Sequence, residues 1–200
     1  MEANNDFSPQ QNLQLIESMI NKAKDSFNED GHLYLFWGWL VFFCSLAEFI
    51  LYHFFHYSYH YWVWIISIVA LVYQVVYLSR KYRTQKVHTY TGHILGYVWI
   101  TFAVLTFLIG YLIGRLTLGD YFWHIYPIIL ALYGMPVFLS GVILRFKPLQ
   151  YGGIGCWVLC VFTTFLSYDY QMLMLSVAMV IAWIIPGYLL RAKYKSVITN

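Results

Sequence analysis

Apolar and polar positions divide the chain into two kinds of segment. Between residues 9 and 28, Leu13, Ile16, Met19, Ile20, Ala23 and Phe27 recur every three or four residues, while Gln14, Glu17, Lys22 and Asp25 fall on the opposite face. That spacing predicts an amphipathic helix. Ser8-Pro9-Gln10-Gln11 opens it with an N-cap, a first-turn proline and a capping-box glutamine, and Asn28-Glu-Asp-Gly31 closes it. From residue 32 onward the polar face disappears. Six apolar runs follow, at roughly 33–54, 61–79, 92–113, 122–144, 151–168 and 171–190. Each lies near the ~20 residues needed to cross ~30 Å of hydrocarbon. The fold class expected is an all-α membrane protein with six transmembrane helices as three consecutive hairpins, preceded by a short amphipathic helix. The domains are then an N-terminal segment, 1–31, a transmembrane domain, 32–190, and a tail, 191–200.

The basic residues orient this arrangement. Arg80, Lys81, Arg83 and Lys86 follow the second run, Arg145 and Lys147 the fourth, and Arg191, Lys193 and Lys195 the sixth. With Lys22 and Lys24, eleven of the twelve bases fall on one side, and Arg115 stands alone on the other. The positive-inside rule then makes both termini, and the amphipathic helix, cytoplasmic. Composition agrees: 60% of residues are hydrophobic and 10% charged, against about 25% charged in a soluble domain. Aromatics at 21% fit interfacial anchors. A net charge of +3 gives no reason to expect nucleic acid. The first apolar run is too long for a signal-peptide core and is expected to act as its own insertion signal. Cys44, Cys156 and Cys160 all fall within apolar runs and form no disulfide framework.

Candidate chemistry centres on Glu48, the one acid or base enclosed by a predicted span. A charged group at such depth costs ~3 kcal/mol or more, so an intramembrane carboxyl is a functional-site candidate. Counting from His53 puts it about 7–8 Å below the outer boundary. Ser67 and Thr106 lie at similar depth and are its expected partners, with Thr163, Thr164 and Ser176 further hydroxyls at that level. Two readings stay open: a neutral, hydrogen-bonded structural acid, and a proton-coupled or ligand-binding one.

Glu48, Tyr52, His56 and His60 are spaced by four, so a continuing helix carries them on one drifting face, with His53 alongside. Imidazoles at such spacing bind zinc or copper, and His53, His56 and His60 are the candidate metal ligands. Met172, Met174, His124, Asp120 and Asp169 sit at other outward ends. The competing reading is an interfacial belt of histidine and tyrosine. Gly92-x-x-x-Gly96, Gly110-x-x-x-Gly114 and Ala178-x-x-x-Ala182 suggest close helix contact, within the chain or in a dimer. Pro136 suggests a kink. No cofactor is expected, since His93 has no second intramembrane histidine to pair with.

Ile16-Glu-Ser-Met-Ile-Asn-Lys-Ala-Lys24, Trp37-Gly-Trp39, Phe146-Lys-Pro-Leu-Gln-Tyr-Gly-Gly153 and Ile185-Pro-Gly-Tyr-Leu-Leu190 resemble an uncharacterised family of small polytopic bacterial inner-membrane proteins with no assigned activity. The resemblance implies a bacterial plasma-membrane location and brings no reaction with it. The residues contain no Ser/His/Asp set, no acid pair and no glycine-rich phosphate loop, so an enzyme is not expected. A non-enzymatic membrane sensor, scaffold or regulatory partner is the first reading. A small-solute or proton-coupled transporter or binding protein using Glu48 is the alternative, and an outer-face metal-binding protein the third. The expected partners are the lipid bilayer, a cytoplasmic or membrane protein, and a second copy of the chain.

Overall fold

A computed structural model of the chain describes residues 13, 14, 16, 17, 31–84, 90–116 and 122–199. All the regular structure among them is helical. The amphipathic helix expected over 9–28 lies outside the described residues, apart from Leu13, Gln14, Ile16 and Glu17, which are helical and exposed.

The first long helix, α1 (His32–His53), starts at Gly31, whose φ of 70° is left-handed. A Cβ there would come within 2.8 Å of the Gly187 carbonyl, so the position calls for glycine on both counts. The chain turns back through His56, also left-handed at φ 48°. It re-enters as a 3-10 helix, His60–Trp64, that runs straight into α2 (Ile65–Thr84). Then come α3 (Tyr90–Leu116), α4 (Phe122–Ile143), α5 (Lys147–Thr163) and α6 (Tyr168–Met179). A π-helical turn, Val180–Ile184, joins α6 to α7 (Ile185–Thr199) without a break. Pro186 explains that turn: proline has no N–H to donate and its ring crowds the carbonyl four residues back, here Ala182 inside the widened turn.

Five stretches are long and apolar enough to cross a membrane: His32–His53, His60–Lys81, Thr91–Arg115, Ile125–Ile143 and Tyr168–Ser196. The run expected at 151–168 is realised as α5, shifted toward the N-terminus and 17 residues long, about 26 Å. Pro148 in its first turn starts it early. Thr163 and Thr164 end it, each donating its hydroxyl back to a carbonyl, of Leu159 at 2.6 Å and Val161 at 2.7 Å.

Packing extends beyond the expected hairpins. The most extensive contacts run between α4 and α5, then between α1 and α6, and both pairs cross the expected hairpin boundaries. Glycine is the reason in the first case. A Cβ on Gly134 would drive into the Trp157 indole, and one on Gly153 would reach Phe138 N at 2.7 Å. In the second case α1 buries Tyr34, Gly38, Val41, Ser45 and Glu48 on one three-and-four-spaced face. Opposite them lie Met172, Leu175, Met179 and Trp183, the centre of the core. By contrast, Gly96, Gly110 and Gly114 of α3 have nothing within 4 Å of a built Cβ among the described residues, so these three glycines are not points of close helix contact there.

Two helices stay at the edge. Most side chains of α2 and α3 are exposed, including Ile68, Val69 and Val72 on α2 and Ile100, Val104 and Phe107 on α3. α2 is held mainly toward the end of the bundle that carries Arg191, termed the basic end. There the Trp37 indole donates to Gln74 Oε1 at 2.7 Å, and Phe36 and His32 meet Tyr73 and Tyr77 with ring centroids 5.0 and 5.1 Å apart. The opposite end, with His53 and His60, is the histidine end.

Candidate functional site: a carboxyl shared by four segments

Glu48 closes the buried face of α1 and is 2% exposed. One turn before it, Ser45 donates its hydroxyl to the Met172 carbonyl at 2.6 Å and clamps α1 to α6. The carboxyl itself is met from three directions. Trp64 Nε1 donates to Oε2 at 2.7 Å, and the Tyr126 hydroxyl donates to the same oxygen at 2.6 Å. His60 Nδ1 lies 3.0 Å from Oε1. Above this group the Tyr168 ring stands 5.6 Å from that of Tyr126 and 6.2 Å from His60. Tyr52 caps His60 edge-on at 4.9 Å. α1, the 3-10 helix, α4 and α6 therefore all contribute.

The donor inventory limits the protonation states. An indole nitrogen only donates, so with Trp64 and Tyr126 both directed at it Oε2 is filled as an acceptor. The variable proton lies on the Oε1 side. With Glu48 ionised and His60 neutral, Nδ1–H donates to Oε1 and the pair carries one negative charge. One added proton makes the pair neutral overall, as imidazolium with carboxylate or as imidazole accepting from a carboxylic acid. Either way the 3.0 Å contact survives. His60, with 9% of its side chain exposed against 2% for Glu48, is the more open of the two.

The partners differ from those expected. The Ser67 hydroxyl donates to the Trp64 carbonyl at 2.5 Å and closes the first turn of α2. Thr106 Oγ1 is buried with no hydrogen bond among the described residues. Neither reaches Glu48. The depth count from straight helices misses the partners because the chain folds back after His53. On a continuous helix His60 would stand about 18 Å from Glu48; the return through His56 and the 3-10 helix brings it into contact instead. The replacements are polar-tipped aromatics, a class that usually finds a hydrogen-bond partner when buried, and that chemistry was the signal available in Trp64 and Tyr126.

The return also separates the three histidines. His53 Nδ1 sits 2.9 Å from Asp169 Oδ2, whose other oxygen accepts from Ser167 at 2.6 Å. His56 is exposed on the turn and His60 faces Glu48. Among the described residues no three His, Cys, Asp or Glu side chains converge as a metal site would require, so His53, His56 and His60 are not brought together as ligands. Met172 is fully buried in the core. Asp120 and the side chain of His124 lie outside the described residues. Cys156 and Cys160 remain free thiols.

No family model, curated protein or solved structure matches this chain.

Proposed function

We propose that the protein is a multi-pass integral protein of a bacterial inner membrane, with both termini cytoplasmic, that senses proton activity on the outer side without catalysing a reaction. The membrane placement is supported by the five long apolar stretches and by the one-sided distribution of bases. The Glu48–His60 pair carries the sensing reading: a buried carboxyl lies in hydrogen-bond contact with an imidazole at 3.0 Å, and the same carboxyl receives the donors of Trp64 and Tyr126. A change of one proton there alters the charge at the point where α1, the 3-10 helix, α4 and α6 meet. The imidazole lies at the end of the bundle that this orientation makes the outer one.

The test is an infrared titration of the full chain in lipid nanodiscs over the pH range in which the protein stays folded. The expected result is a pH-dependent carboxyl band that disappears in Glu48→Gln and shifts its midpoint in His60→Gln. A spectrum without a Glu48 band change overturns the sensor. Proton or solute flux in vesicles that Glu48→Gln abolishes would assign the pair to transport instead.

A further inference from the structure

Next to its buried face, α1 presents a second face that no helix among the described residues covers. Phe36, Trp39 and Phe43 form the floor of a groove there, Ile66 stands on its far wall, and Tyr188 and Arg191 form its mouth at the basic end. The Trp39 indole donates to the Tyr188 hydroxyl at 3.4 Å and steadies that mouth. Between His32 and Ala47, the ends of the α1 lining, the groove is about 22 Å long.

The groove holds about 690 Å³ and is lined along its length by apolar and aromatic side chains, with polar groups at its mouth. An extended hydrocarbon chain matches that length and lining. The mouth adds charge: Arg191 is exposed and pairs with no carboxylate among the described residues. A guanidinium offers a planar fork of donors suited to phosphate oxygens. An apolar slot with a free cation at one end matches a phospholipid seated headgroup to arginine.

We propose that this groove binds an anionic phospholipid, its phosphate on Arg191 and an acyl chain along Phe36, Trp39 and Phe43. The proposal rests on the membrane placement above, which reporter fusions test separately.

The experiment is native mass spectrometry of the full chain after equilibration with equal amounts of phosphatidylglycerol and phosphatidylcholine bearing the same chains. The wild type should retain the anionic lipid preferentially. Arg191→Gln should lower that preference about fivefold. Ile66→Trp, which fills the groove from an exposed position, should lower retention of both lipids. Lys195→Gln, an exposed base outside the groove, should leave the preference unchanged. Equal retention of the two lipids by the wild type overturns the proposal, as does a loss in Lys195→Gln equal to that in Arg191→Gln. If Ile66→Trp converts a dimer to a monomer with lipid retention intact, the groove belongs to a second copy of the chain and the proposal also fails.

Discussion

Replacing Glu48 with leucine strands three polar groups at once: the Trp64 N–H, the Tyr126 O–H and the Nδ1 side of His60, all of which now converge on one carboxyl. A buried donor left without a partner costs ~1–3 kcal/mol. The Tyr126 hydroxyl can rotate, and leucine adds some apolar contact. The net loss should still be about 3 kcal/mol or more. Glutamine behaves differently. Its amide oxygen can take the place of Oε2 and accept from Trp64 and Tyr126. Its NH2 can donate to His60 Nδ1 when the imidazole proton sits on Nε2. All three contacts survive, so the cost should stay under about 1 kcal/mol. For a chain of this size 1 kcal/mol moves Tm by about 2–4 °C. Glu48→Leu should therefore melt roughly 6–12 °C below the wild type, with Glu48→Gln within a few degrees of it. Thermal unfolding of detergent-solubilised protein, followed by helical circular dichroism, measures both. A leucine variant as stable as the glutamine variant would show that the carboxyl does not hold these donors.

Two further outcomes follow from the packing and the charge pattern. Gly134→Ala places a methyl against the Trp157 indole and should destabilise by about 1–3 kcal/mol, whereas Gly110→Ala, in open space, should be neutral or stabilise by up to about 1 kcal/mol; the same melts separate them. Reporter fusions after Lys86, Lys147 and Lys195 should read cytoplasmic and fusions after Ser58 and Asp120 external, and an external C-terminus would remove the proposed orientation.

The helical fold was legible because apolar runs near twenty residues leave few alternatives, and Glu48, a carboxyl costly to leave in hydrocarbon, marked a point of α1 that needs partners inside the bundle. Two features were not legible, for different reasons. The reversal itself lay between the first two apolar runs, but its left-handed turn at His56, a residue that is not glycine, gave no sign that the return brings His60 down onto Glu48. Reading the four-residue spacing as a continuing helix places His56 and His60 on a helix that has already ended. The choice between helix pairs hung on which glycines are used. Gly134 and Gly153 join α4 to α5, while the regularly spaced Gly110 and Gly114 meet nothing among the described residues; spacing alone does not say which face of a helix has a neighbour.

The uninterrupted run of α6, the π-helical turn and α7 makes one rod of 12, 5 and 15 residues, about 48 Å long. Tyr168, over the Glu48 cluster, is its first residue, and Arg191, Lys193 and Lys195 ride near its last turns. A twist at one end is delivered to the other without passing through a loop. The π turn takes one extra residue into that rod without turning its ends, since a widened turn spends about five residues where α-helix spends about four. Deleting one residue between Val180 and Ile184 would restore plain α-helix and leave the basic face pointing nearly as it does now relative to Tyr168, whereas deleting one from Tyr168–Met179 would swing that face about 100°. The bulge therefore works as slack in the rod, absorbing a residue while the charged end keeps its direction.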